Sequence, residues 1–387
     1  MIPSGKRIMN KARIAIIGAG LSGLYAACLL EKQGIDYVLL EARERIGGRI
    51  HSVAADGQSA MDMKATSDHF DLGPSWFWPG YQPQLGQLVE ELGLECFAQF
   101  KDGDMVIERS PNTAPIRMQG YVSSPTSMRL VGGMAALTEA LYQRLDSDRV
   151  LTGHKVCQLH KTATSIEVEV ELNATADYQS PNEKITWQVS QVLLALPPRL
   201  AEQNIEFIPV LPDDLAEQWA STATWMAPHA KYFAIYDKPF WREQGFSGSA
   251  NSAVGPLTEI HDASAASGHA ALFGFFGVAP EVRQSVSADE LKFHCREQLV
   301  RLFGTQAKTP VADFFKDWSQ DEFTATSLDV QSGGQHPYPP VSKATTGVWQ
   351  DNLIGIGSEW SRQFPGYVAG AVEAASLGVQ DLLRQIR

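Results

Sequence analysis

Three glycines near the amino terminus have the spacing of a phosphate-binding turn. Gly18, Gly20 and Gly23 form the pattern G-x-G-x-x-G between the apolar run 14–17 and a helical segment. The first glycine permits the bend, the second lets the backbone approach a pyrophosphate, and the third lets helix and strand pack closely. The helix N-terminus adds free N–H groups and partial positive charge. The pattern predicts a dinucleotide site, whose contact residues are Gly18, Gly20, Leu21, Ser22 and Gly23.

A carboxylate follows the next apolar run at the position expected for ribose recognition. Glu41 comes directly after 37–40, about twenty residues beyond the glycines. At that place a carboxylate accepts hydrogen bonds from ribose hydroxyls, whereas a 2′-phosphate would be repelled. The acid therefore supports a dinucleotide and leaves open which one.

The segment after Glu41 favours FAD over NAD. Ala42 to Arg49 contains the glycine pair Gly47-Gly48 and several arginines. The glycines let this loop run close to a cofactor, and the planar guanidinium of Arg49 can pair with a phosphate. The alternative from these residues alone is a solvated basic turn.

A lysine on an apolar face is the next residue that could do chemistry. Lys231 shares one side of a predicted strand with Phe233 and Ile235. Burying an ammonium there is costly unless it has a purpose. The alternative is a lysine at a strand edge whose charged end reaches water.

Ordered motifs along nearly the whole chain resemble the flavin monoamine oxidase family, which includes monoamine, polyamine and L-amino-acid oxidases. The family carries G-G-R after the ribose acid, D-L-G-G-S-Y, G-G-M, a lysine strand ending in P-F-W, G-T-E, and G-Y-x-x-G-A-V-E-A. The matching segments are Gly47–Arg49, Asp71–Trp76, Gly132–Met134, Lys231–Trp241, Gly357–Glu359 and Gly366–Ala375. Because these motifs occur in the family's order and spacing, together they are far more specific than any one of them.

The resemblance implies further cofactor contacts and a non-covalent flavin. Family members with covalent flavin often have a cysteine after S-G-G, where this chain has Gln335 in the segment 332–336. The resemblance implies FAD contacts at Glu41, Ala42, Arg43, Gly48, Arg49, Gly73, Pro74, Ser75, Trp76, Val156, Ser358, Glu359, Gly366, Tyr367 and Val368.

The resemblance also implies roles in catalysis. The family lysine that matches Lys231 holds a water against flavin N5 and assists the reaction with oxygen. Tyr367 matches one wall of the family's aromatic cage, and His336 stands where the second ring is expected. His336 could instead act as a base, orient a carboxylate, or be structural. Trp318 matches a tryptophan beside the flavin, with simple core packing as the alternative.

The expected fold is α/β (α+β), with a Rossmann-like FAD-binding domain of the glutathione-reductase type. A substrate-binding cap domain is interleaved with it, and the resemblance implies a shortened cap because the insert between Trp76 and Gly132 is short. The predicted FAD-binding domain comprises 12–75, 128–222 and 333–387, and the predicted substrate-binding domain comprises 76–127 and 223–332.

Local patterns predict several elements. Apolar spacing predicts a helix over 134–145, period-two alternation predicts a half-exposed strand over 165–172, and 191–198 is typical of a buried strand stopped by prolines. Ser287 and Glu290 form a capping box that predicts a helix start. The expected buried face of that helix contains Leu291, Cys295, Leu299 and Leu302.

Composition limits the choice of partners and location. The net charge of −12 argues against nucleic acid, and no stretch approaches the roughly twenty apolar residues of a membrane span. The leader has no apolar core of a secretory signal, so the cytoplasm is the default expectation. The sequence leaves a homodimer open. Widely spaced cysteines in apolar contexts predict four buried thiols, with neither disulfide nor metal: Cys28, Cys96, Cys157 and Cys295.

The leading functional prediction is an FAD-dependent oxidase of amines or amino acids. It would transfer a hydride from the carbon next to nitrogen to flavin N5, with reoxidation by O2 giving imine and hydrogen peroxide. One alternative is a dehydrogenase or desaturase of the same fold that uses another electron acceptor. Another is a catalytically silent flavoprotein that serves as a binding module.

Overall fold

The computed structural model describes residues 9–57, 68–120, 124–173, 184–266, 268–331 and 334–386. The chain divides into two compact units, each built from separate stretches. Unit 1 comprises Met1–Arg49, Leu137–Trp225 and Glu322–Arg387, and unit 2 comprises Ile50–Ala136 and Met226–Asp321. The predicted bounds of an FAD-binding and a substrate-binding domain stay a prediction.

Short strands and helices alternate along the described residues. The strands are β1 (Met9–Lys11), β2 (Ile14–Ile17), β3 (Tyr37–Leu40), β4 (Ser52–Ala54), β5 (His69–Asp71), β6 (Cys96–Ala98), β7 (Asp104–Glu108), β8 (Ile116–Gln119), β9 (Met128–Leu130), β10 (Val150–Leu151), β11 (His154–Lys161), β12 (Ile166–Leu172), β13 (Lys184–Val189), β14 (Gln191–Leu194), β15 (Glu206–Ile208), β16 (Ala230–Tyr236), β17 (Phe246–Ser252), β18 (Leu257–Asp262), β19 (Ala270–Phe276), β20 (Ala312–Asp317) and β21 (Leu353–Gly355). The α-helices are α1 (Leu21–Lys32), α2 (Pro83–Glu91), α3 (Ala135–Tyr142), α4 (Pro198–Asn204), α5 (Asp213–Ser221), α6 (Phe240–Glu243), α7 (Pro280–Gln284), α8 (Ala288–Phe303), α9 (Ser327–Gln331) and α10 (Val368–Gln385).

A five-stranded parallel sheet with the order β10–β3–β2–β14–β21 forms the centre of unit 1. Every residue of β2, β3 and β14 is buried, as expected of parallel strands covered on both faces. Helix α1 follows β2 directly and packs against α10. The sheet and its crossover helix are Rossmann-like, as predicted from the glycine turn.

A second five-stranded sheet of unit 1 has the order β1–β13–β12–β11–β15. Strand β12 alternates strictly between buried and half-buried residues, which confirms the half-exposed strand predicted over 165–172. The apolar side chains of β12 join a core that includes Trp219 and Trp349. The predicted strand after Gln191 also forms; it ends at Leu194, and Pro198 begins helix α4.

Unit 2 is built on a seven-stranded sheet with the order β20–β16–β19–β18–β17–β7–β8. Strand β16, next to the edge strand β20, is buried along its whole length and pairs antiparallel with β19 and β20. Short ribbons, β4 with β5 and β6 with β9, complete the strand pairs of this unit. Since β16 carries Lys231, the sheet places that lysine in an interior strand.

Helix α8 begins as its sequence predicts. The Ser287 side chain accepts a hydrogen bond from the Glu290 N–H, and the predicted apolar face of the helix is buried: Leu291, Cys295, Leu299 and Leu302. The prediction of four buried cysteines is wrong in part, because Cys96 is exposed and Cys157 is half-buried. Both lie on strands, where alternate residues face outward, so an apolar sequence context did not fix their burial.

Candidate functional site

The nucleotide turn, defined here as residues 18–23, has the geometry that its sequence predicts. Gly18 has φ of +102°, and a side chain there would bring Cβ within 2.8 Å of the Ala195 carbonyl oxygen. A Cβ on Gly23 would overlap the Gly18 carbonyl oxygen. These two glycines are therefore required by the fold itself.

Gly20 differs from the other two glycines of the turn. A Cβ on Gly20 would meet, among the described residues, only the Gly47 carbonyl oxygen at 4.0 Å, so space is left beside its backbone. Helix α1 begins there with no side-chain cap from the described residues and no acidic residue in its first turn. Free space, N–H groups and the positive end of the helix dipole fit a pyrophosphate.

The glycine loop after Glu41 runs against the nucleotide turn. The Gly47 N–H donates to the Ala19 carbonyl at 2.8 Å, and Gly20 and Gly47 form an isolated β-bridge. Gly48 has φ of +58°, and a Cβ there would lie 3.3 Å from the Gly20 Cα. These glycines let the loop approach the backbone of the turn closely, while the predicted approach of the loop to a cofactor stays a prediction.

Glu41 is buried and oriented toward the turn by two backbone groups. Its Oε2 accepts from the Ala19 N–H at 2.7 Å, and its Oε1 accepts from the Arg43 N–H at 2.9 Å. A carboxylate has about four lone-pair positions, so each oxygen keeps capacity for a ribose hydroxyl. Arg43 donates to the Thr324 hydroxyl at 3.0 Å, and the Ala42 carbonyl accepts from Asn173 at 3.0 Å.

Arg49 forms a bidentate ion pair with Glu359, which lies 310 positions later in the chain. The two guanidinium–carboxylate distances are 2.5 and 3.0 Å, and Arg49 also donates to the Ser358 hydroxyl at 3.1 Å. Burial alone would lower the pKa of Arg49, but the adjacent Glu359 carboxylate outweighs burial and raises it. The structure thus brings together three residues that the sequence predicts to bind FAD.

The carboxyl-terminal motif, Gly366–Ala375, begins with a turn that leads into helix α10. Gly366 has φ of +82°, and its N–H donates to the Ser358 carbonyl at 3.0 Å. Tyr367 is the residue before the first turn of α10, which starts at Val368. Val156 lies apart from this turn, buried on β11 beside a bulge. Contacts of Val156, Gly366 and Val368 with FAD stay predictions.

Three aromatic rings of unit 1, here called the ring cluster, contact one another: Trp225, His336 and Tyr367. The Trp225 and His336 centroids are 3.9 Å apart and stacked, and Trp225 lies 4.6 Å from Tyr367. The His336 and Tyr367 rings are stacked with centroids 5.3 Å apart. The sequence indicated His336 and Tyr367 but missed Trp225, for which the only signal was an aromatic residue shortly before the lysine strand. Ser332 and Gly333 of the predicted motif lie outside the described residues.

In unit 2, Lys231 is enclosed in what is here called the lysine pocket. Its Nζ donates to the carbonyls of Asp71 at 3.3 Å and Gly73 at 2.5 Å, and to the Ser75 hydroxyl at 3.2 Å. The rings around it are Phe233, Phe273 and Phe275, with centroids 5.8, 4.5 and 5.1 Å from Nζ. Burial lowers the pKa of Lys231 to about 7.

The predicted segment 71–76 is fixed by several side chains of unit 2. Burial raises the pKa of the Asp71 carboxyl, which accepts from the Ser52 hydroxyl at 2.6 Å and the Met134 N–H at 2.7 Å. Trp318 donates from its indole to the Leu72 carbonyl at 3.0 Å. Trp76 donates to Gln99 at 2.8 Å. Pro74 lies between two residues that hold Lys231, and its predicted flavin contact, like that of Trp318, stays a prediction.

The predicted site residues therefore gather in two places. Unit 1 contains the nucleotide turn, Glu41, the Arg49–Glu359 pair and the ring cluster. Unit 2 contains the lysine pocket with Trp318. Within the described residues, no group of three or more His, Cys, Asp or Glu side chains could hold a metal ion.

The fold and the nucleotide turn define a Rossmann-type dinucleotide-binding protein. Residues 16–92 match the family of NAD(P)-binding Rossmann-like domains, and residues 113–383 match the family described as flavin containing amine oxidoreductase. The second match covers more than half of the chain. The chain belongs to the flavin-containing amine oxidoreductases, as its motifs predict, and it is an oxidoreductase whose implied cofactor is FAD.

Relatives of this chain match nearly its whole length at low identity. It is 22% identical to the probable flavin-containing monoamine oxidase A of Dictyostelium discoideum, over 93% of this chain and 95% of the relative. It is likewise 22% identical to the putrescine oxidase of Kocuria rosea, over 96% and 95% of the two chains. The first alignment spans 461 positions, more than the 387 residues here, so that relative has segments that this chain lacks.

Solved structures confirm the fold. A putrescine oxidase bound to putrescine superposes with a TM-score of 0.77 at 20% identity, covering 97% of this chain and all of that one. The cyclohexylamine oxidase from Brevibacterium oxydans also gives a TM-score of 0.77 at 20% identity, covering 97% and 99%. Among the described helices, none has both the length and the apolar character that crossing a bilayer requires.

Proposed function

We propose that this chain is an oxidase of amines or amino acids that uses non-covalently bound FAD and dioxygen. When bound, FAD would take a hydride from the carbon next to nitrogen and pass two electrons to dioxygen, so that the products are an imine and hydrogen peroxide. The observation that carries the proposal is the buried ammonium of Lys231 with its lowered pKa. The family match supports the class of reaction, and Lys231 supports the choice of acceptor.

Lys231 Nζ is suited to proton exchange near neutral pH. A lysine in water keeps its proton up to about pH 10.4, whereas the pKa of Lys231 is lowered to about 7. A group with this pKa can hold or release one proton at Nζ under working conditions. When charged, it also supplies positive charge in a dry environment, where such a charge stabilises a developing anion most effectively.

Unit 1 supplies groups that fit a dinucleotide without a covalent bond. The nucleotide turn presents N–H groups and open space at Gly20, and Glu41 is aligned by backbone donors. In the position where the family resemblance implies a flavin-linked cysteine, this chain has Gln335. Precipitation of the purified protein with acid should leave the yellow chromophore in the supernatant. Chromophore that stays with the denatured pellet after washing would contradict non-covalent binding.

The reaction is tested by incubating the purified yellow protein with a panel of aromatic amines, diamines and amino acids. We expect oxygen consumption and peroxide in equal amounts with at least one of them. Bleaching of the flavin by an amine, with reoxidation by a dye but not by oxygen, would instead indicate a dehydrogenase. If no organic donor bleaches the flavin, the protein is a binding module.

The ring cluster and Trp318 complete the proposal. Tyr367 would contact the amine and His336 would lie beside it, as the family cage implies, while Trp318 would flank the flavin. A cytoplasmic location and a homodimer stay predictions from the sequence. Sedimentation of the purified protein tests the second.

A further inference from the structure

The ring cluster has a spacing that bears on how it can receive a substrate. The His336 and Tyr367 planes are inclined by 27° with centroids 5.3 Å apart, and the Tyr367 hydroxyl lies 3.4 Å from His336 Nε2. A group held between two rings needs about 7 Å between the planes, twice a contact distance of roughly 3.5 Å. A substrate therefore does not fit between His336 and Tyr367 in this arrangement.

Trp225 is the third member of the cluster, and its ring packs directly on the carboxyl-terminal turn. A Cβ on Gly366 would lie 3.2 Å from the Trp225 Cβ and 3.4 Å from its Cε3. The absence of a side chain at Gly366 thus lets the indole approach the backbone beside Tyr367. His336 is exposed and Trp225 and Tyr367 are partly exposed, so the ring cluster is accessible to solvent.

A buried ion pair holds the backbone that leads to Trp225. The Thr224 N–H donates to Asp329 Oδ1 at 2.8 Å, and Arg199 donates to the same oxygen at 2.5 Å. Arg199 also donates to the carbonyls of Ala220 at 2.8 Å and Ser221 at 3.1 Å. Because Arg199 and Asp329 are almost fully buried, the segment before Trp225 has a fixed position.

We propose that Trp225 is a specificity-determining residue of the amine site and favours amines that carry a flat aromatic group. The aromatic group of the substrate stacks on the accessible side of the ring cluster instead of entering between its rings. His336 acts as a positioning residue that stacks on the Trp225 ring. This inference rests on the proposed function, since it concerns the amine of that reaction.

Stacking is the physical reason for the preference. An aromatic group gains offset or edge contacts with ring faces beyond the burial of its area. A linear aliphatic chain gains burial alone, and its second ammonium, if present, would need a partner to replace its hydration. We therefore expect a difference in binding affinity between two amines that differ by one aromatic ring.

Two amines without a hydrogen on the carbon next to nitrogen provide that test, because they bind without being oxidised. They are 2-phenylpropan-2-amine and tert-butylamine, which differ by a phenyl group in place of a methyl group. Calorimetric titration of the flavin-loaded protein should show tighter binding of the phenyl compound. Trp225→Leu should weaken binding of the phenyl compound about tenfold and change binding of tert-butylamine less than about twofold. Trp225→Phe should keep most of the parent affinity for the phenyl compound, because it keeps an aromatic ring.

Controls keep the test decisive. Trp187→Leu removes a half-buried tryptophan from strand β13 of unit 1, outside the ring cluster, and should leave both affinities unchanged. The inference would be overturned if Trp225→Leu weakened the binding of both ligands equally, or if it left the affinity for the phenyl compound unchanged. If the parent protein oxidises no amine, the proposed function is wrong, while the phenyl-dependent binding still decides the role of Trp225 by itself. Thermal unfolding of each variant confirms that it is folded.

Discussion

The nucleotide turn and the lysine pocket both present N–H donors and positive charge. The turn does so with backbone groups, whereas the pocket does so with one side chain. The nucleotide turn uses backbone N–H groups and glycines, and no side chain of the described residues caps the start of α1. In the lysine pocket, one cationic side chain has acceptors from the protein for all three N–H donors. The turn is therefore suited to binding an anion, whereas the lysine pocket already supplies hydrogen-bond acceptors for its own ammonium group.

The comparison shows two ways to prepare a site. Glycine spacing prepares the turn because glycine permits the backbone conformations and close approaches that a side chain would block. The lysine pocket is prepared by burial, which lowers the pKa of Lys231 through desolvation while the Asp71 carboxylate partly opposes that effect. Substitutions in the turn should act on binding of the nucleotide, and substitutions in the pocket should act on rate and on pH dependence.

Gly20→Ala should have the largest effect on flavin binding. The protein itself has room for the added methyl, since the nearest described atom is 4.0 Å away, so the fold should persist. The methyl would occupy the space that a pyrophosphate needs, and the purified variant should be colourless. Flavin content by absorbance and the melting temperature together check this prediction.

Gly23→Ala provides the contrast for Gly20→Ala. Its methyl would overlap the Gly18 carbonyl, so it should lower both flavin content and stability. Gly80→Ala, where nothing lies within 4 Å among the described residues, should change neither. A yellow, stable Gly20→Ala protein would show that the turn does not hold the pyrophosphate as proposed.

Lys231→Met should slow reoxidation of the reduced flavin by oxygen on the order of 10²-fold, the size expected for loss of one electrostatic group in a dry site. Reduction by the amine and flavin content should change much less. Stopped-flow absorbance measures both half-reactions. Lys184→Met removes an exposed lysine paired with Glu169 and serves as the matched control. Reoxidation of Lys231→Met at the parent rate would remove Lys231 from the mechanism.

Ser75→Ala should have a smaller effect, because two carbonyls still hold Lys231 Nζ. We expect loss of about 1–3 kcal/mol in the free energy of unfolding, typical of a buried hydrogen bond to an ionisable group. Urea unfolding checks this value. Ser285→Ala, at an exposed serine that donates to the Val282 carbonyl, should cost less than about 0.5 kcal/mol. Equal losses would mean that the Ser75 contact with Lys231 contributes nothing special.

The last expected effect is a pH dependence of stability. Between about pH 7 and pH 10.5, Lys231 is neutral in the folded protein but protonated in the unfolded chain. The unfolded state binds more protons there, so the free energy of unfolding rises with pH through this window, and the cost of burying the charge is fully present below it. The stability of Lys231→Met relative to the parent should therefore fall as pH rises from 7 to 10.

Lys184→Met again supplies the control for the pH experiment. A hydrogen bond to Glu169 raises the pKa of Lys184, so its contribution should be constant over the same window and decline only above pH 10.5. Unfolding in urea at several pH values measures both differences. A flat difference for Lys231→Met would show that its pKa is not lowered in the folded protein.

The sequence predicted features that depend on neighbouring residues. The glycine turn, the strand predicted over 165–172 and the cap at Ser287 were all confirmed, since each rests on local geometry or on a simple alternation. Burial of individual side chains was less predictable. Cys96 and Cys157 were expected inside, but the faces that their strands turn to other elements decided otherwise.

The order of motifs by itself determined the family, the Rossmann-like sheet and the residues around the nucleotide turn, because short-range spacing fixes backbone conformation there. Tertiary structure decided the rest. Lys231 reaches acceptors about 160 positions away, Arg49 pairs with Glu359 across 310 positions, and Trp225 meets His336 and Tyr367 from distant segments. No local pattern encodes such contacts, since they form only when separate strands and turns pack together.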